Sequence, residues 1–144
     1  MKIIGFACDH AGFELKETAR EYITSLGYRC RDFGAYSAGS SDYPDHAHPL
    51  ARAVESGEVE TGVALCGTGN GIGIALNKHR SIRAAICWLP EIAQLARAHN
   101  DANILVLPAR FIAPDDMKAI VDIFLNTPFE GGRHLRRVEK IPVQ

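Results

Sequence analysis

Four short, uninterrupted apolar runs constrain what this chain can fold into more than anything else in it: Ile3 to Ala7, Val63 to Cys66, Ala84 to Cys87 and Ile104 to Leu107, each bounded by turn residues. Runs this short, with no polar alternation, are what strands look like when both of their faces are covered. Tyr28 to Asp32 is a weaker fifth. Between the runs, apolar residues recur at helical spacing: Leu15, Ala19, Tyr22, Ile23 and Leu26; Ala47, Leu50, Ala51 and Val54; Ile92, Leu95, Ala96 and His99; Met117, Ile120, Val121, Phe124 and Leu125. Strands alternating with helices predict right-handed βαβ units. The expected fold is therefore α/β: a three-layer α/β/α, Rossmann-like domain with a five-stranded parallel sheet.

At 144 residues and 47% hydrophobic content, the chain matches one domain, residues 1–144, able to bury a core without staples. The rhythm ends after Leu125: Asn126-Thr127-Pro128 stops a helix, Gly131-Gly132 is a hinge, and a basic segment Arg133 to Lys140 follows. We read about 128–144 as a C-terminal arm. In a helix, Arg133 and Arg137 stand at i and i+4 on one face, able to clamp a phosphate or grip a neighbouring subunit. The Ser37-Ala38-Gly39-Ser40-Ser41 stretch is expected to be a mobile loop.

A formal net charge of -1, with acidic and basic residues well mixed, gives no footprint for nucleic acid or an anionic membrane. No apolar run approaches the roughly 20 residues of a bilayer span, and the opening run stops at Asp9, too short for a signal-peptide core. The expectation is a cytoplasmic protein. Cys8, Cys30, Cys66 and Cys87 form no C-x-x-C pair, which leaves reduced thiols and excludes a zinc knuckle or a redox pair.

One strand delivers a thiol into a glycine-rich turn: Cys66-Gly67-Thr68-Gly69-Asn70-Gly71-Ile72-Gly73. Glycines at alternate positions let the backbone approach a ligand and aim several N–H groups at one point. A helix beginning near Gly69 adds its dipole, which favours an anion and a low thiol pKa. Cys66 also has an ordinary reading, as a small buried hydrophobe. Cys8, Cys30 and Cys87 lack such neighbours and read as structural.

Ligands of a parallel α/β sheet bind beyond the carboxyl ends of its strands. Cys8-Asp9-His10, Cys66-Gly67-Thr68 and Pro108-Ala109-Arg110 all fall there. Asp9 is equally suited to cap a helix. His99 falls on the apolar stripe of its helix, where a core histidine is the bland alternative, but Asn100 and Asp101 put it at a helix end. His46 and His48, at i and i+2, point apart on a helix, so no metal site is expected there. Known phosphate loops fail: a C-x5-R loop needs arginine where Ile72 stands, G-x-G-x-x-G meets Ile72 and Ile74, and no G-K-[ST] is present.

Taken together, Gly5-Phe6-Ala7-Cys8-Asp9-His10-Ala11-Gly12-Phe13, Asp42-Tyr43-Pro44, Cys66 to Gly73, Asn77-Lys78, Ile82-Arg83-Ala84-Ala85, His99-Asn100-Asp101-Ala102-Asn103 and Glu130-Gly131-Gly132-Arg133-His134 resemble the type B ribose-5-phosphate isomerase family. That family also holds allose- and galactose-6-phosphate isomerases, and the likeness runs nearly end to end. The resemblance implies aldose–ketose isomerisation of ribose 5-phosphate and ribulose 5-phosphate through a cis-enediolate, with no metal and no organic cofactor. It implies that Cys66 carries the proton with Thr68 as helper, since Ile72 to Ala75 offers no glutamate base. By the same resemblance His99 opens the ring with Asp9 opposite, and backbone N–H groups of residues 67 to 71 (Gly67, Thr68, Gly69, Asn70, Gly71) hold the enediolate. Tyr43 and Asn100 bind sugar hydroxyls, and His10, Arg110, Arg133 and Arg137 bind phosphate. The implied assembly is a homodimer or tetramer with sites shared between subunits, which makes about 128–144 a C-terminal dimerisation arm. A six-carbon sugar-phosphate isomerase and a non-catalytic sugar-phosphate binding protein are the alternatives, and Trp88 is placed to reshape the sugar pocket.

Overall fold

The structure, a computed structural model, describes residues 2–144. Its strands are β1 (Ile3–Cys8), β2 (Arg29–Asp32), β3 (Thr61–Cys66), β4 (Ala84–Ile86) and β5 (Ile104–Pro108). Its helices are α1 (Phe13–Ser25), α2 (Tyr43–Glu55), α3 (Asn70–Leu76), α4 (Pro90–Asn100), α5 (Pro114–Asn126) and α6 (Arg133–Glu139). All strand pairs are parallel, in the order β2-β1-β3-β5-β4. Pro44, Pro90 and Pro114 sit in the first turns of α2, α4 and α5, where a missing N–H costs nothing and the fixed φ suits a helix.

Period-two alternation sorts the buried strand residues between two cores. Ile4, Phe6 and Cys8, Val63 and Leu65, Leu105 and Leu107 face α1, α4 and α5. Ala7, Ala64 and Cys66, Ile104 and Val106 face α2 and α3. Each large side chain removed from water here contributes about 1.5–3 kcal/mol. Because β1 feeds α1 on one face and β3 feeds α3 on the other, the chain diverges at the carboxyl ends of these neighbouring strands. That is the switch point at which an open α/β sheet forms a crevice.

Three sequence expectations need correction. Ala84–Ile86 is half-buried, because β4 is an edge strand. Its outer backbone is closed by the Asn77 side chain, which accepts from the Ala84 N–H (2.8 Å) and donates to the Ala84 carbonyl (3.0 Å), blunting an edge that could template another strand. Leu26 and Leu95 point out to solvent, at 45% and 40% exposure. In α4 the close-packed positions are instead Ala93, Ala96 and Ala98, whose small side chains let the helix lie near its neighbours.

The sheet also buries a charge. Lys16 on α1 is wholly inaccessible; its Nζ donates to both carboxylate oxygens of Asp32, each at 2.8 Å, and to the Ala35 carbonyl. The pair ties α1 to the end of β2 and to the chain leaving it. Lys16→Met leaves Asp32 with only the Gly34 N–H at 2.9 Å and the more distant Arg20 Nε, so it should lower unfolding free energy by about 3 kcal/mol. Urea denaturation checks this, and a loss below about 1 kcal/mol would mean the pair is not the anchor described.

Candidate functional site

The carboxyl end of β3 places Cys66 at the switch point, and the turn after it is built around the sulfur. The Gly69 N–H donates to Cys66 Sγ at 3.2 Å. Gly69 has φ +82, and Val106 and Ile86 lie within 3.1–3.3 Å of where a Cβ would stand, so the turn needs glycine on two counts. The Asn70 N–H donates to Thr68 Oγ1 at 3.1 Å. Two of the five N–H groups expected to hold an anion are thus engaged locally, and those of Gly67, Thr68 and Gly71 have no acceptor among the described residues. Helix α3 begins at Asn70, as the glycine pattern predicts.

The other residues of this edge close around the turn. Cys8 pairs with Leu65, which sets Asp9 beside Cys66. Asp9 is 8% exposed, and its Oδ1 accepts from the Ala11 N–H (3.0 Å) and the Gly12 N–H (3.2 Å), so the capping reading holds while Oδ2 is left over. His10 Nδ1 lies 3.3 Å from both the backbone nitrogen and the carbonyl of Ser41, which ties the Ser37 to Ser41 loop to the site. Arg110 donates its backbone N–H to the Gly67 carbonyl (3.0 Å) and lays its guanidinium over Gly67, with Nη1 3.3 Å from where a Cβ would be. Tyr43, the first residue of α2, packs its ring so close to Gly71 that a Cβ there would fall 2.6 Å from the ring. Alongside runs an open groove of about 670 Å³, walled by Thr68, Asn70, Ile86, Trp88, Leu89 and Phe111.

His99, Asn100, Arg133 and Arg137 are elsewhere. Helix α4 runs antiparallel to the strands and ends at Asn100, and Asn103 then accepts from the Gly62 N–H (3.1 Å) and Thr61 Oγ1 (2.7 Å) at the amino end of β3. Cys66 is five residues further along that strand, about 16 Å at a strand's rise. The predicted residues therefore fall into two sets at opposite ends of the sheet. On α6, Arg133 and Arg137 share an exposed face, as the i, i+4 spacing predicts. Beside them the rings of His99 and His134 stack at 4.1 Å and 12°, with Glu130 Oε1 3.8 Å from His99 Nε2 and 3.5 Å from His134 Nε2. Sequence reasoning assigned no role to Glu130 or His134, although their i, i+4 spacing was a signal. Burial, with neighbouring His99 and the Arg133 charge, holds the His134 imidazole below its ordinary pKa.

Other polar groups are structural. His46 Nδ1 lies 3.0 Å from the Phe33 carbonyl, and His48 Nδ1 lies 2.8 Å from His79 Nε2, so the two do not converge on one point. A cleft of about 630 Å³ at the amino edge is lined by Arg83, Arg97 and Asn103, but its arginines are occupied by Asp101 and backbone carbonyls. Among the described residues no helix is long and apolar enough to cross a membrane.

The family model described as Ribose/Galactose Isomerase matches residues 4–141. The chain is 46% identical over 141 residues to ribose-5-phosphate isomerase B of Escherichia coli, covering 98% of this chain and 95% of that one. It is 39% identical over 142 residues to D-erythrulose-4-phosphate isomerase of Pectobacterium atrosepticum, covering 98% and 93%. The crystal structure of a ribose 5-phosphate isomerase from Thermotoga maritima superposes with a TM-score of 0.96 at 51% identity, covering 98% and 97%.

The four thiols are not equivalent. Burial pushes Cys8 up to about 11 in spite of nearby Lys16, pushes Cys87 up to about 12, and raises Cys30. Since the thiolate is the form that reacts, Cys8 and Cys87 should stay unalkylated by iodoacetamide in the native protein at pH 8 and react on unfolding. Peptide mass spectrometry reads this directly, and rapid native labelling of either would contradict the assigned environment.

Proposed function

Since this chain belongs to the ribose/galactose isomerase family, we propose that it interconverts ribose 5-phosphate and ribulose 5-phosphate, with Cys66 carrying the proton through a cis-enediolate. It is an aldose–ketose isomerase of sugar phosphates. The observation that carries the finer reading is the placement of the Cys66 sulfur at the mouth of a turn whose Gly67, Thr68 and Gly71 N–H groups find no acceptor among the described residues.

Ring opening comes first: the anomeric hydroxyl loses its proton, the C1–O4 bond breaks, and O4 gains a proton, work divided between His99 and Asp9. Cys66 then takes the proton from C2 and returns it to C1, while the Thr68 hydroxyl passes a proton between the two oxygens. The charge that develops on the enediolate is held by the free N–H groups, which gain most as the transition state forms. His10, Arg110, Arg133 and Arg137 fix the phosphate, and Tyr43 and Asn100 the sugar hydroxyls, so that the reacting carbons stay in register. The scheme calls on no metal or organic cofactor.

Cys66 and His99 of one chain lie at opposite ends of the sheet, so one sugar meets both only between two copies, with the arm of one copy reaching the Cys66 edge of the other. This supports a homodimer, or a tetramer of paired dimers, with shared sites.

Two experiments test the reading. Turnover of ribose 5-phosphate, allose 6-phosphate and erythrulose 4-phosphate is compared in chelator for the wild type and Cys66→Ala. We expect ribose 5-phosphate to be preferred and Cys66→Ala to lose about 10²–10⁴-fold in kcat while still binding substrate; preference for another sugar corrects the substrate, and an active variant removes Cys66 from its role. In the second, Cys66→Ala and His99→Ala chains are co-refolded. Random pairing into dimers should restore about a quarter of wild-type activity, because half the dimers are mixed and each carries one intact site. No recovery, with mixed dimers present, would place each site within one chain.

A further inference from the structure

Two residues at the amino edge have no part in the scheme above, yet the structure holds them firmly against one that does. His134 is 8% exposed on α6, and its ring stacks on that of His99 at 4.1 Å and 12°. Glu130 presents one oxygen, Oε1, to the Nε2 atoms of both rings, at 3.5 Å and 3.8 Å. Glu130 is itself pinned, its backbone N–H donating to the Ala98 carbonyl at 3.0 Å, one residue before His99. Gly131 and Gly132, with φ +68 and +54, then turn the chain so that α6 returns along α4. We propose that His134 and Glu130 are positioning residues for His99: the stack sets the plane of its ring, and the carboxylate, a charge 3.8 Å from Nε2, favours the form protonated there. The proposal rests on His99 opening the furanose.

The physical need is plain. His99 is 37% exposed at the last turn of a helix, where its side chain is otherwise free to rotate, and proton transfer to a ring oxygen tolerates little misplacement. Partner groups that hold a histidine ring commonly fix its orientation and tautomer together. The groups facing His134 are His99 from α4, Glu130 from the preceding turn, and Arg133 and Arg137 from α6. Burial and the neighbouring Arg133 and Arg137 outweigh Glu130 and hold His134 below its ordinary pKa, which favours its neutral form. Two imidazoles and a carboxylate could also suggest a cation site, their ligand atoms lying within 4.8 Å of one another. Rings stacked nearly parallel do not aim their nitrogens at a common point, as tetrahedral ligation requires, and the stack is the better account.

The test uses the difference between a cyclic and an acyclic substrate. Ribose 5-phosphate must be opened, whereas ribulose 5-phosphate has its only ring-forming hydroxyl esterified and is open already. With His134→Ala we expect kcat/KM for ribose 5-phosphate to fall about 10- to 100-fold, with initial consumption of ribulose 5-phosphate and its KM within about twofold of wild type. His134→Phe, which keeps a flat ring, should regain most of the loss, and Glu130→Gln should show the same substrate asymmetry. An equal loss with both substrates, or a raised KM for ribulose 5-phosphate, would make the pair a support for α6 and its arginines and overturn the proposal. So would His134→Ala acting like wild type on both. His99→Ala runs in parallel: if it lacks the asymmetry, the ring-opening role itself fails; if it has the asymmetry and the other variants lack it, only the positioning role fails. Should His134→Ala not fold, His134→Phe and Glu130→Gln decide, since inactivity towards ribose 5-phosphate in the first and wild-type behaviour in the second would contradict it.

Discussion

Everything at the carboxyl edge depends on the parallel pairing of β1 with β3. The register that sets Cys8 beside Leu65 brings Asp9 level with Cys66, although the two are far apart in sequence. The pairing also fixes the divergence of α1 and α3 to opposite faces, which opens the crevice. A slip of one residue would turn Cys66 towards the α1 side and bury its sulfur under the wrong helices. Close approach of α2 secures the register from one face: Leu50 comes so near β1 and β3 that a Cβ at Gly5 would lie 2.6 Å from it, and one at Gly62 would lie 3.1 Å away.

The antiparallel run of each helix has an equally simple consequence. A helix that leaves the carboxyl edge must end at the amino edge, so residues at helix starts, such as Tyr43, join the Cys66 turn, and residues at helix ends, such as His99 and Asn100, do not. The chemistry proposed for this chain is thereby split between two ends of a rigid sheet, and a second copy becomes the economical way to reunite it. The C-terminal segment belongs to the amino edge in this sense: α6 folds back on α4, and its exposed arginines are offered outward rather than to the Cys66 turn of the same chain.

Much of this was legible in the chain. The continuous apolar runs locate four of the five strands to within a residue or two, because burial leaves little choice of residue, and the weaker Tyr28 to Asp32 segment, partly exposed, locates the fifth. The glycine run locates the turn and the start of α3, because few other sequences tolerate φ +82 and so close an approach. Ala84–Ile86 misled, since an apolar run reads the same at an edge as in a centre, and strand order is not written in any one strand. Leu95 misled because α4 packs through its alanines, and period alone does not rank a large apolar residue below a small one. Lys16 gave no signal at all: a lysine is expected in water, and only the placement of Asp32 and the Ala35 carbonyl around it makes its burial tolerable.

By itself, then, the sequence determined the local grammar: which segments are strands and helices, where the chain must turn, and which thiol meets a glycine-rich loop. These follow from near-neighbour sterics and from the periodicity of burial. The resemblance carried by its motifs pointed to the chemistry. Tertiary structure alone decided the order of the strands, the choice of local partners that leaves the Gly67, Thr68 and Gly71 N–H groups free, the separation of His99 from Cys66, and the stacking of His134 on His99. Each of these is a relation between residues distant along the chain, and such relations are set by how whole layers pack and by the direction in which helices cross between strands, quantities that no window of sequence contains.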